Sequence, residues 1–223
     1  MDVGGIQELR LLPSLSELSA NNNSGIDDRA AEEISSLVGL RNLQLSHTNV
    51  TAKSISQLHH LPVLTHLDLS NNRLTDKDIA GLKKISSLES LTLSHNKITG
   101  AGLKHLLPLK HLVCLYLDRN PINDSAVETL LKMKNIQRLK LSATKLSPQG
   151  IMRLAELPHL KELSVKNVCD LDEKFAHDFL TKCRSCSKFM YLRARGEGYD
   201  RSEWNLDEKS KLREQKKIRD SIE

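Results

Sequence analysis

Three groups of residues in this chain have types and spacings that could do chemistry. "CRSC" places Cys183 and Cys186 two residues apart. With Cys169 and His177 they make a Cys3His set, which suits tetrahedral zinc. The set lacks a second paired knuckle, and a redox C-x-x-C needs a thioredoxin-like βαβ setting that is absent. Buried free thiols, packing as small apolar groups, are the expectation beside the zinc alternative. The second group is His47, His66 and His95, with Asp68 nearby in sequence. A metal would need three or four donors at about 2.0–2.3 Å, and no Cys or acid cluster completes the set. No metal and no cofactor are therefore expected.

The third group offers binding rather than reaction. Tyr116, Arg119, Arg138 and Lys140 combine a large ring with directed cationic donors, the residue types that anchor interfaces. Catalytic signatures are missing. The chain has no Gly-x-x-x-x-Gly-Lys phosphate loop, no Gly-x-Ser-x-Gly and no His-Glu-x-x-His, so it is not expected to be an enzyme.

What must position these groups is a repeat. Units begin at Leu40, Leu64, Leu88, Leu112, Ile136 and Leu160, each 24 residues after the last. An earlier unit begins at Leu15 and carries one extra residue near Asn21–Ser24. Apolar residues fall at positions 1, 4, 6, 11, 16, 19 and 22, as in Leu64, Leu67, Leu69, Leu74, Ile79, Leu82 and Ile85. Positions 4 and 6 alternate as on one face of a strand, and 16, 19 and 22 suit a short helix or 3₁₀ turn. Position 12 holds Thr51, Thr75, Thr99, Asn123 and Ser147, which are N-cap types. Position 9 holds Asn23, Asn72, Asn96 and Asn120, with Thr48 and Thr144 substituting. A buried amide there can satisfy the turn's own N–H and C=O groups and those of its neighbour. Stacking buries leucines that one unit alone would expose.

"LTHLDLSNNRLTDKDIAGL" and "LESLTLSHNKITGAGL" resemble the leucine-rich repeat family, over roughly residues 2 to 183. The resemblance implies an α/β solenoid, a horseshoe with parallel strands on the concave face and short helices on the convex face. It also implies that the concave face binds another protein. Asn-, Ser- and Lys-rich units of this style look like intracellular repeats that bacteria deliver into host cells.

The expected organisation is a partial N-terminal repeat (1–14), leucine-rich repeats (15–165), a helical C-terminal cap (166–196), and a charged loop with a helical tail (197–223). The partial repeat shows in "GIQELRLLPSL", which matches "GIMRLAELPHL" at Gly150–Leu160 and places Asp2 at a helix cap. A unit without its strand is either the cut end of a longer chain or a natural terminal layer. In the cap region, Asp172 is the expected N-cap, and leucine packing gives way to Phe175, Phe179, Phe189, Tyr191, Tyr199 and Trp204. "RARGEGYDRSEWN" reads as loop and "LDEKSKLREQKKIRDSIE" as a very polar helix.

Positions 3, 5, 7 and 8 of each unit face outward on the strand side. The expected partner-binding residues there are Tyr116, Asp118, Arg119, Arg138 and Lys140, with His66, Asp68 and His95 further back along the same face. The expected partner is an acidic or mixed-charge protein, and no small-molecule substrate is evident. The rival reading is the recognition arm of a larger enzyme or of a host-targeted bacterial effector. Nucleic acid is not expected. The net charge is +5, with its excess in a tail whose acids are interspersed, and the strand face lacks a basic stripe with repeated aromatics. No run of 18 apolar residues occurs, so no membrane span is expected. Residues 1–15 lack the apolar block of a secretion signal. Cysteines that neither recur with the repeat nor cluster before it favour a reducing compartment. A cytoplasmic location follows, with delivery into a host cell as the alternative.

Overall fold

The computed structural model describes residues 3–12, 14–193 and 200–205. Eight three-to-six-residue strands lie side by side in chain order, all parallel: β1 (Glu17–Ser19), β2 (Asn42–Gln44), β3 (His66–Asp68), β4 (Ser90–Thr92), β5 (Cys114–Tyr116), β6 (Arg138–Lys140), β7 (Glu162–Ser164) and β8 (Lys188–Arg193). Each unit supplies one strand, then returns through a short helix. The pairing register keeps each position opposite itself in the next unit: Leu43, Leu67, Leu91, Leu115, Leu139 and Leu163 form one row. Period-2 strands and period-3 returns thus hold one repeat in phase, as the spacing predicts.

The core is that repeat made solid. All seven apolar positions of the unit from Leu64 are at most 2% exposed. Each such leucine contributes about 1.5–3 kcal/mol by leaving water. The returns are α2 (Asp28–Ile34) and α3 (Ala52–Gln57), then 3₁₀ turns at Asp78–Lys84 and Gly102–Leu106, then α4 (Val127–Lys132) and α5 (Pro148–Arg153). The half-unit before Leu15 folds like its sequence match. α1 (Val3–Glu8) and the 3₁₀ turn Leu9–Leu11 have the same bounds, position for position, as α5 and the turn Leu154–Glu156. The expected cap at Asp2 lies outside the described residues.

Position 9 forms a ladder of side-chain amides. Asn96, 7% exposed, donates to Leu69 O (2.9 Å) and Leu93 O (3.0 Å) and accepts from Asn72 N (3.1 Å) and Leu74 N (2.9 Å). Asn72 and Asn120 bridge their neighbours in the same way. Asn23 does not join: it accepts from Gly25 N within its own turn, and among the described residues no strand precedes β1 whose turn it could bridge. Asn21, at position 7, accepts instead from Ser46 N of the next unit at 2.7 Å, as Asp118 does from Ser142 N.

The expected N-caps hold at Thr51, Thr99, Asn123, Ser147 and Asp172. Thr75 reverses the role. Its N–H and hydroxyl both donate to Asp78 Oδ2 (2.7 and 2.6 Å), since a carboxylate is the stronger acceptor.

Position 8 has a backbone signature that runs through every unit. Asn22, His47, Asn71, His95, Arg119, Ala143 and Asn167 all have φ between 53° and 60°. The chain must turn off the strand there through a left-handed residue. Asparagine and histidine are enriched in that conformation, whereas Arg and Ala are strained in it.

The last layer holds α6 (Glu173–Lys182), whose Phe179 stacks on Phe189 of β8 at 4.5 Å between centroids. The stretch from Arg193 read as loop contains β9 (Asp200–Asn205), paired antiparallel with β8. Charged residues hid this strand, because its backbone pairing needs no apolar alternation. The helical reading of 206–223 and the position of Tyr199 lie outside the described residues. No helix among the described residues is long and apolar enough to cross a membrane.

Candidate interaction face

The outward residues of the strand face fall into the columns that their spacing predicts. His66, Ser90, Cys114, Arg138 and Glu162 align in one column, and Asp68, Thr92, Tyr116, Lys140 and Ser164 in the next. Because β5 and β6 are adjacent, Tyr116 and Lys140 are direct partners. The Lys140 ammonium sits 4.5 Å from the centre of the Tyr116 ring, a cation–π contact that holds both side chains. Arg138 Nη1 lies 3.8 Å from Cys114 Sγ in the neighbouring column.

This packing leaves Tyr116 half-buried. Burial, followed by the neighbouring Cys114, pushes its phenol pKa up, with Arg138 opposing. The phenol therefore stays a neutral donor at physiological pH. The Arg138 guanidinium is pushed up in turn, first by Cys114 and then by Tyr116. Cys114 and Glu162 belong to this cluster although neither was among the expected binding residues. Their signal was column membership beside Tyr116 and Arg138, which register alone supplies.

The remaining expected residues are placed differently. Arg119 is exposed at a left-handed position beside the cluster. Asp118 is engaged by the scaffold: it accepts from Ser142 N at 2.7 Å and from Ser94 Oγ at 3.4 Å, tying three units together. Asp68 accepts from Ser70 N at 2.8 Å. His66 is exposed and contacts Thr65 Oγ1 through Nδ1 at 3.0 Å. His47 and His95 share column 8 with Asn71 between them, while His66 lies in column 3, so the histidines do not converge. Among the described residues no three His, Cys, Asp or Glu groups are arranged to hold a metal ion.

The C-x-x-C also has a different meaning in three dimensions. Cys186 N donates to Cys183 O at 3.2 Å, as Leu88 N donates to Ile85 O and Leu112 N to Leu109 O. Cys183 and Cys186 therefore occupy positions 22 and 1 of the last unit, where other units carry leucine-like residues. Both are at most 1% exposed. Cys169 is half-buried, and burial followed by Asp170 pushes its thiol pKa up, which disfavours the thiolate that zinc requires.

A strand-per-unit parallel ladder with helical returns and a column of buried amides defines a repeat solenoid. The leucine rich repeat family model matches residues 38–98 and 62–122, so the units across residues 38–122 are leucine-rich repeats. Among solved structures the chain is similar to internalin C2 from Listeria monocytogenes str. 4b F2365. The two are 23% identical, the match covers 79% of this chain and 80% of that one, and the TM-score is 0.58. That likeness is one of fold. No curated protein sequence matches this chain.

Proposed function

We propose that this protein is an interaction scaffold that binds another protein on its concave strand face. The Tyr116–Lys140 pair carries the reading: an aromatic ring and a cation held together on a rigid sheet, with Arg138 and Arg119 alongside. Preformed surface lowers the ordering cost of association, and Tyr and Arg are the residues that most often dominate such interfaces. The cationic rim favours an acidic or mixed-charge partner. Asp118 orients the neighbouring turn, and His66, Asp68 and His95 extend the same face toward the earlier units. The cysteines neither recur with the repeat nor cluster before it, which supports a reducing compartment such as the cytoplasm.

The test is affinity capture from cell extract with intact protein and with Tyr116→Ala and Arg138→Ala. Capture of the principal partner should fall about tenfold or more in each variant, the loss typical of an interface anchor. Melting temperature should stay within about 2 °C, because surface substitutions rarely change stability much. Undiminished capture by both variants would place binding elsewhere.

A further inference from the structure

A second surface lies on the flank where each helix returns to the next strand. The return segments 58–64, 82–88, 103–112 and 130–136 contain six lysines and four histidines and no aspartate or glutamate, with Glu128, in the column of Lys104 one unit on, just outside these bounds. The lysines come two to a unit from three successive units: Lys83 and Lys84, Lys104 and Lys110, Lys132 and Lys134. All six are exposed. With units about 4.8 Å apart, they crowd into a strip roughly 10 Å deep along the solenoid axis. None has a carboxylate in ion-pair range among the described residues. Glu128, on α4, is held instead by Arg153 at 2.6 Å. At the strand entries beside the strip, Glu89 is the one acid among Thr65, Glu89, Val113 and Gln137.

Helix dipoles favour a cation in the last turn of each helix. They do not account for two per unit on returns this short. Stacked like charges repel, so the strip opposes folding and stability does not explain it. Within the strip is a groove of about 120 Å³. Its floor is apolar, made by Leu106, Leu107, Leu109, Leu112 and Met133. Lys110, Lys132 and Lys134 stand around it, and Lys110 Nζ donates back to Leu107 O at 2.9 Å.

We propose that this flank docks an acidic, extended segment of a partner protein, with one aliphatic side chain seated in the groove and flanking carboxylates on the lysines. Charge complementarity selects an anion, and the shape selects the class. The apolar residues are recessed, so the surface receives a side chain rather than inserting one into a bilayer. The strip carries no Phe, Tyr or Trp on which a base could stack and no arginine for bidentate phosphate contact. The site lies on a different side of the molecule from the strand face and does not rest on the reading of that face.

The full chain should be titrated against a fluorescein-labelled heptapeptide, Asp-Glu-Asp-Leu-Glu-Asp-Glu, by anisotropy. Binding is expected to weaken as salt rises. Replacing the central leucine by serine should cost roughly fivefold or more, the effect of losing one buried aliphatic group. The triple variant Lys110→Glu, Lys132→Glu, Lys134→Glu should lose about tenfold or more. The charge-matched triple Lys53→Glu, Lys97→Glu, Lys145→Glu, away from the strip, should bind as the parent does. Vesicles of phosphatidylcholine and phosphatidylserine at about 7:3 and a single-stranded oligonucleotide should bind more weakly than the peptide. Circular dichroism checks that each variant is folded. No peptide binding, equal loss in both charge variants, indifference to the central leucine, or preference for vesicle or oligonucleotide would each overturn the proposal.

Discussion

Asp76 grips Thr99 across a unit boundary: Oδ2 accepts the Thr99 hydroxyl at 2.5 Å and Oδ1 accepts its N–H at 2.8 Å. Asp124 holds Ser147 in the same way at 2.5 and 2.8 Å, and Asp28 holds Thr51 and Ser54. These aspartates recur at twice the repeat interval, so units are clamped in pairs. A second set of bonds follows the same pairing. Asn49 N donates to Ile26 O, Lys97 N to Leu74 O and Lys145 N to Ile122 O. Between pairs the equivalent residues are Arg73, whose φ of 59° turns its backbone away, and Pro121, which has no N–H.

The clamp predicts an inverted glycine effect. A Cβ on Gly102 would collide with Asp76 Oδ1, and one on Gly150 with Asp124 Oδ1. Gly→Ala in a helical segment ordinarily stabilises by up to about 1 kcal/mol. Here Gly102→Ala should instead destabilise, by about 1–3 kcal/mol. Asp76→Ala alone should cost about 1.5–3 kcal/mol, as for hydrogen bonds to a charged group. In the double variant the two losses should be clearly less than additive, since the clash disappears with the carboxylate. Urea melts of the four proteins measure this coupling, and strict additivity would contradict it.

Acid should loosen the first pair of units. Burial acts to raise the Asp28 pKa, but hydrogen bonds from Ser54 and Thr51 outweigh it, and the net shift is downward from the ordinary value of 3.8. A carboxylate with a depressed folded-state pKa stabilises fully above its unfolded value and loses that contribution as pH falls through the folded one. Stability should therefore drop as pH falls below 3.8, and Asp28→Asn should flatten that part of the profile. Thermal melts from pH 6 down to about pH 2 provide the comparison, and an unchanged acid limb would remove Asp28 from the account.

The amide ladder predicts a large cost for a small change. Asn96→Ala strands Leu69 O, Leu93 O, Leu74 N and Asn72 N in an environment with little water. Unpaired buried groups cost about 1–3 kcal/mol each before relaxation, so a total near 3–4 kcal/mol is expected. Asn23→Ala, off the ladder, should cost well under about 1 kcal/mol. Equal effects in chemical denaturation would deny the ladder its role.

Column 8 offers a gain. Ala143 has φ 53°, a conformation costing an L-residue about 1–2 kcal/mol. Glycine removes that strain and returns about 0.5–1 kcal/mol through the unfolded chain's entropy. Ala143→Gly should therefore stabilise by about 0.5–1 kcal/mol, visible as a raised melting temperature. Destabilisation would show that the left-handed turn is not strained there.

How much of this was legible varies by residue. Leu64 to Ile85 declare their burial by spacing, because strand and helix periods are local properties of the backbone. The columns through His66, Arg138 and Tyr116 were legible too, since parallel units of equal length can stack in one register. Thr75 does not cap because its hydroxyl is spent as a donor to the Asp78 carboxylate instead of accepting a helix N–H. The Cys183–Cys186 spacing resembled a ligand motif because positions 22 and 1 of every unit are also three residues apart. β9 was read as loop because its partner, β8, satisfies its backbone without any side-chain pattern.

The amino-acid order by itself determined the repeat, its register and the identity of nearly every core side chain, since those follow from short-range periodicity and the avoidance of water by leucine. Only the tertiary structure decided which groups meet across unit boundaries: Asp76 with Thr99, Lys140 over Tyr116, and the lysines of three separate returns in one strip. Those contacts join residues about a full repeat apart: register sets which columns adjoin, and only the packed side-chain conformations decide which neighbours bond.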